Sequence, residues 1–261
     1  MNSQDVTRAL KSGSFIFWMV VIVFASLLLG WIVGGADSAE HAAMPGTAAT
    51  AIVAWFTTFF LLGMARGMSI SSFAEDKFSG ALEASLVRPV SRAGLVFGRF
   101  IGVVLGVLIA AVVAAVLVSS AYTYGHGGPA FPQLATIDLA IGLAIAGIVM
   151  AALCFLIAYA TASAAGARWA TRGIDWLLFV VFAPAFSLAN IPALLVANPL
   201  MLPLTLTSGA VPYSVPPGLA TALLFGPLQS TRIGDPALIG IGIGWIAATV
   251  LGLLAKVRAT D

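Results

Sequence analysis

The chain has 261 residues, of which 61% are hydrophobic and 8% charged, with a net charge of +2 and a mean hydropathy of +1.07. So much apolar surface cannot be hidden inside a water-soluble globule of this size, so the chain is an integral membrane protein. No run or stripe of Lys and Arg occurs, which argues against a nucleic-acid partner, and the lone Cys154 allows no intramolecular disulfide.

Crossing a hydrocarbon core of about 30 Å takes roughly 20 apolar residues in a helix. Six segments qualify, at 14–34, 47–67, 94–119, 138–160, 176–197 and 236–255. They predict an all-α integral membrane protein with six transmembrane helices in a single domain over 1–261. The first segment follows Arg8 and Lys11 and precedes Gly34, Gly35 and Ala36. A signal peptide shares those flanks, but its apolar core runs only about 7–15 residues, so this segment is expected to stay as a span. Both termini then lie on one side. That side carries Arg8, Lys11, Arg66, Lys77, Arg88, Arg92, Arg99, Arg168, Arg172, Lys256 and Arg258, against Arg232 on the other. Bases in short loops resist translocation, so termini, the segment after the second span and the 161–175 loop are expected to be cytoplasmic.

Between the second and third spans the sequence FAEDKFSGALEASLVRPVSRAGLVFGRFIG, Phe73–Gly102, holds Glu75, Asp76, Lys77, Glu83, Arg88, Arg92 and Arg99. Phe78, Leu82 and Leu86 recur there at helical spacing while Glu75, Asp76, Ser79 and Glu83 fall mostly on other faces. That pattern predicts an amphipathic cytoplasmic helix over 71–88. It should end near Arg88, because Pro89 disfavours helical geometry at its predecessor and donates no backbone hydrogen bond.

The third span carries Gly94, Gly98, Gly102 and Gly106 at every fourth position, and the sixth repeats the device with Gly240, Gly244, Ala248 and Gly252. Such stripes let helix backbones approach closely in lipid, either within this chain or at a subunit contact. Asp138 and Asp175 open the fourth and fifth spans, where an acid suits the positive end of the helix dipole. Arg66 and Arg99 lie near enough to span ends to snorkel. No acid or base is placed at mid-bilayer, where one costs about 2.5–3.5 kcal/mol. A proton or sodium relay thus has no residues to run on, and the energy for any transport must come from outside the chain.

Pro184 and Pro192 interrupt the fifth span, which suits Pro-kinked packing or a substrate path. The outer segment 198–235 carries Pro199, Pro203, Pro212, Pro216, Pro217 and Pro227, which forbid one continuous helix. Its apolar stretches predict short helices dipping into the outer leaflet against protein, since bare loops are not tolerated in lipid. No metal site is expected: His41, Met44 and His126 come from separate loops. No nucleophile, base and acid form a catalytic set.

At Glu75, Asp76, Gly80, Leu82, Leu86, Pro89, Val90, Ser91, Arg92 and Gly98 the sequence resembles the permease subunits of ABC-2 type ABC transporters, in particular the NosY-like branch. Ala81 stands where that family usually has threonine. The resemblance implies that the helix between spans two and three is a coupling helix that docks on a separate ATPase, and that residues 2–12 form an interfacial connecting helix. It also implies re-entrant helices between spans five and six. Phe73, Phe78, Leu82 and Leu86 would supply apolar contact to the ATPase, with Glu75, Asp76, Glu83 and Arg92 setting register by charge and Gly80 within the same motif. Charges that are merely solvated and set topology are the plainer reading. The chain has no GxxxxGK[ST] phosphate loop, so the implied enzyme is another polypeptide: this chain is non-catalytic and binds no cofactor, while ATP and Mg belong to the partner. The expected assembly has two ATPase copies and a second permease copy, identical or not, in a prokaryotic plasma membrane, with export the expected direction. An accessory or structural subunit of another membrane complex is the alternative.

Overall fold

A computed structural model describes residues 7, 10–36, 46–80, 92–127, 133–177, 198–209 and 235–258. Among them the regular elements are all helical: α1 Gly13–Ala36, α2 Gly46–Ser69, α3 Arg92–His126, α4 Gln133–Ala160, α5 Ala164–Asp175, α6 Leu202–Gly209 and α7 Asp235–Arg258. Five stretches are long and apolar enough to cross a membrane: Gly13–Gly35, Val53–Phe78, Ala93–His126, Thr136–Ala160 and Pro236–Arg258. They correspond to the first, second, third, fourth and sixth expected spans. The expected fifth span, 176–197, lies outside the described residues beyond Leu177, as do residues 81–91 of the charged segment and 210–234 of the outer segment.

The boundaries differ from expectation in ways the chain explains. The second span does not stop at 67: a π-helical turn, Ile70–Ala74, and a final α turn, Glu75–Phe78, prolong α2 without a break. No Pro or Gly interrupts the backbone until Gly80, whose φ of +76° is the left-handed conformation that ends helices. The third span runs on from 119 to His126, with hydroxyls in its last turns bonded back to the helix's own carbonyls. Thr123 Oγ1 donates to the Ser119 carbonyl at 2.8 Å and Ser119 Oγ to the Val116 carbonyl at 3.1 Å. The 161–175 loop is largely helix α5, capped by Ser163, whose hydroxyl accepts from the Gly166 amide at 3.0 Å.

Close approaches at glycine hold the bundle together. A Cβ at Gly30 of α1 would lie 2.6 Å from the Val118 carbonyl of α3, and one at Gly34 would strike the Tyr122 backbone. From the α3 side, a Cβ at Gly125 would meet the Trp31 carbonyl, and one at Gly106 would sit 2.7 Å from Met68 Cε. Gly63 and Gly67 of α2 make room for the Trp18 indole of α1, at 2.6 Å in each case. Along these contacts α1 and α3 run parallel and α2 antiparallel to α1. Gly242 beside Ile145 and Gly252 beside Leu156 make α7 parallel to α4. The start of α1, the prolonged end of α2, the start of α3 and the ends of α4 and α7 thus share one end of the bundle. Helix α6 lies away from that end, with Pro203 Cα 2.5 Å from where a Cβ of Gly142 would sit and Leu202, Leu204 and Leu206 buried.

Candidate functional site

The shared end of the bundle gathers the charges, and the tail of α2 is at its centre. Phe73 is fully buried, stacked on Phe155 and Tyr159 of α4 at centroid distances of 5.0 and 5.2 Å. The Phe155 ring in turn meets Phe100 of α3 edge-on at 5.5 Å. A π turn carries one more residue per turn than an α turn and so rotates the side chains C-terminal to it by roughly 100° about the helix axis. In the α turn after it, three successive charged side chains reach three different elements.

Glu75 Oε1 accepts from Arg168 of α5 at 2.5 Å. Asp76 Oδ2 accepts from Arg99 of α3 at 2.7 Å, and Arg99 also donates to the Ser72 carbonyl within the π turn at 2.8 Å. Lys77 Nζ donates to the carbonyls of Ala158 at 2.7 Å, Tyr159 at 3.2 Å and Thr161 at 3.4 Å. That ammonium satisfies the last carbonyls of α4 and neutralises the negative end of its dipole. It also sits 4.8 Å from the Phe78 ring centre and 5.5 Å from that of Tyr159. These bonds differ in weight. The Glu75–Arg168 pair is about half exposed, a setting in which ion pairs give about 0.2–1 kcal/mol. The Asp76–Arg99 pair is mostly buried, with side-chain exposures of 15% and 6%. Arg99 therefore does not snorkel: its charge is neutralised in place.

A third ion pair joins Arg66 of α2 to Asp175 at the end of α5. The Asp175 side chain is only 4% exposed, and burial raises its carboxyl pKa while the Arg66 charge and hydrogen bond pull it back down. Asp175, expected as a dipole partner at the head of the fifth span, is first of all the buried mate of a residue 109 positions earlier.

The residues expected to meet an ATPase are thus only partly gathered. Phe73 has its ring inside the bundle. Glu75 and Asp76 already hold arginines of this chain, Phe78 packs against the core, and Gly80 ends the helix. Leu82, Glu83 and Leu86 lie outside the described residues, as does the side chain of Arg92, the first residue of α3. Of the packing glycines, Gly98, Gly102 and Gly106 are buried and Gly94 is exposed. In α7, a Cβ at Gly240 or Gly244 would meet nothing within 4 Å among the described residues, one at Gly252 would touch Leu156 at 3.7 Å, and the tight contact is at Gly242. The glycines Gly30, Gly34 and Gly125 of the α1–α3 contact were not among those expected, although Ser26, Gly30 and Gly34 repeat at the same four-residue spacing. His41 and Met44 lie outside the described residues, and His126 stacks on Tyr122 at 6.2 Å.

The model of the family described as ABC-2 family transporter protein matches residues 5–255 of the chain. A search of curated proteins found no match.

Proposed function

We propose that this chain, which belongs to the ABC-2 transporter family and is the membrane permease component of such a transporter, takes its power stroke through the tail of α2 and the segment between that tail and Arg92. The observation that carries this reading is the fastening of the tail: Glu75, Asp76 and Lys77 are each bonded to a different element, α5, α3 and α4. A push on residues 79–91 would be passed to three helices at once instead of being absorbed in a loop. In this reading the charged end faces the cytoplasm, as its basic residues favour, and an ABC ATPase docks there, supplying ATP and Mg. Two such ATPases and two permease copies make the transporter, in a prokaryotic plasma membrane. Export is the proposed direction, and the NosY-like branch rests on the Pro89, Val90, Ser91, Arg92 run.

The six-span topology has support in the placement of neighbouring elements. Asp175 is bonded at the charged end, whereas Leu202 and Pro203 lie beside Gly142. Gly142 is 16 residues along α4 from Ala158, or about 24 Å at 1.5 Å per residue. The described chain thus leaves α5 at the charged end and resumes at Asn198 toward the other end, a separation of the size that the proposed fifth span would cross. The seating of α6 among α2, α4 and α7 supports re-entrant helices that shape the outer exit.

Docking is tested by co-expressing the chain with a cognate ABC ATPase, purifying through a tag on the permease, and measuring vanadate-sensitive ATP hydrolysis. Leu82→Asp with Leu86→Asp is expected to cost most of the co-purified ATPase, because buried apolar anchors dominate such contacts. Glu83→Lys is expected to lower coupled hydrolysis severalfold while the subunit still inserts. Full ATPase recovery with the double variant would refute docking at this segment and place the ATPase contact elsewhere on the chain.

A further inference from the structure

Beside the charged cluster is a cavity of about 340 Å³ lined by Ser14 and Trp18 of α1, Arg66, Gly67, Ser71 and Glu75 of α2 and its tail, and Arg168, Thr171 and Arg172 of α5. Three guanidiniums face it against one lining carboxylate. Arg168 is paired with Glu75 through one nitrogen and Arg66 with the adjoining Asp175. An arginine carries five N–H donors, so both keep donors for a further acceptor. Arg172 has no acid within ion-pair distance among the described residues, and its guanidinium lies 5.4 Å from the centre of the Trp169 ring. Among the described residues the cavity therefore holds one positive charge in excess.

Helix α5 gives the cavity its setting. Its buried face is Ala167, Thr171 and Asp175, at i, i+4 and i+8. Trp169, Arg172 and Trp176 line up on another face, with Trp169 and Trp176 69% and 53% exposed. Two exposed indoles flanking an arginine, on a helix with one polar and one packed side, are the marks of a helix lying at the level of lipid headgroups.

We propose that this cavity binds the phosphate of an anionic phospholipid headgroup, with Arg172 supplying the uncompensated charge and Trp169 and Trp176 holding α5 at the interface. The proposal rests on the reading that this end of the bundle lies at a bilayer surface, and it does not depend on ATPase docking.

The test uses the full chain purified without an ATPase, equilibrated in neutral detergent with equal amounts of phosphatidylglycerol and phosphatidylcholine, with bound lipid counted by native mass spectrometry. Phosphatidylglycerol is expected to be retained in severalfold excess. Arg172→Gln is expected to cut that excess roughly fivefold, the share of one arginine at an anionic surface, with an unchanged melting temperature, while Arg172→Lys keeps most of it. Equal retention of the two lipids, or an undiminished preference in Arg172→Gln, would overturn the proposal. Displacement of the lipid by millimolar inorganic phosphate would overturn it too, in favour of a free-anion site. Because no ATPase is present, each of these outcomes is separate from success or failure of docking.

Discussion

Arg66→Ala is expected to be the most destabilising single change at the charged end, lowering the melting temperature of the purified chain by on the order of 10 °C. The guanidinium is the counter-charge of a carboxylate whose side chain is only 4% exposed. Breaking a buried pair from one side leaves the other charge uncompensated, at a cost of about 3–5 kcal/mol, and 1 kcal/mol moves a chain of this size by roughly 2–4 °C. Asp175→Ala should cost less, because the Arg66 side chain is 20% exposed and can carry its charge to water. The double change Arg66→Met with Asp175→Leu should recover most of the loss, since replacing both partners removes the desolvation penalty with the attraction. The effect has a sign in pH. Burial raises the Asp175 pKa and Arg66 lowers it, so in Arg66→Ala only the raising cause is left. A folded pKa above the unfolded one gives stability that is complete below the ordinary carboxylate range and is lost as pH rises through the raised value. Thermal scans across that range should show the variant approaching the parent protein on acidification. A deficit that stays constant with pH would show that Asp175 is not the group left stranded.

The helical class and the positions of the described spans could be read from apolar run length, because a bilayer imposes a minimum of about 20 residues on any crossing helix. The amphipathic helix expected over 71–88 lies largely outside the described residues, and the described part of it, up to Phe78, continues the second span. The direction in which each face points could not be read. In a water-soluble protein an apolar face marks the inside, but lipid is as apolar as a core, and the contrast disappears. Hence Phe73, an apolar residue beside charges and expected at a docking surface, is buried against Phe155 and Tyr159. Hence also the tight glycine of α7 is Gly242, on a different face from the stripe through Gly240 and Gly244. The ion pairs were hidden for another reason. Arg66 and Asp175 are 109 residues apart, and nothing local to either indicates the other. Lys77 resembles a topology-setting base, and only the folded chain puts the end of α4 within its reach.

Gly34→Leu is expected to disrupt the bundle, whereas Gly244→Leu should leave it intact. At Gly34 even a Cβ would collide with the backbone of Tyr122, and four residues earlier Gly30 lies against Val118 and Ala121. Backbone cannot rotate away as a side chain can, so α1 and α3 must separate along the contact. Overpacking of this kind costs about 1–3 kcal/mol and occasionally more, and here it also loosens neighbouring contacts such as Gly125 with Trp31. The readout is the yield of monodisperse protein and its melting temperature, with a drop of roughly 5 °C expected for Gly34→Leu. At Gly244 a Cβ would meet nothing within 4 Å among the described residues, so the same substitution should leave the melting temperature of the isolated chain unchanged. The pair separates the two meanings of a small-residue stripe. If Gly244→Leu instead abolishes self-association or assembly with the ATPase while the single chain remains folded, the α7 stripe is a subunit contact. If assembly is also unaffected, Gly240 and Gly244 simply face lipid, and the close packing of the permease is carried by α1 against α3.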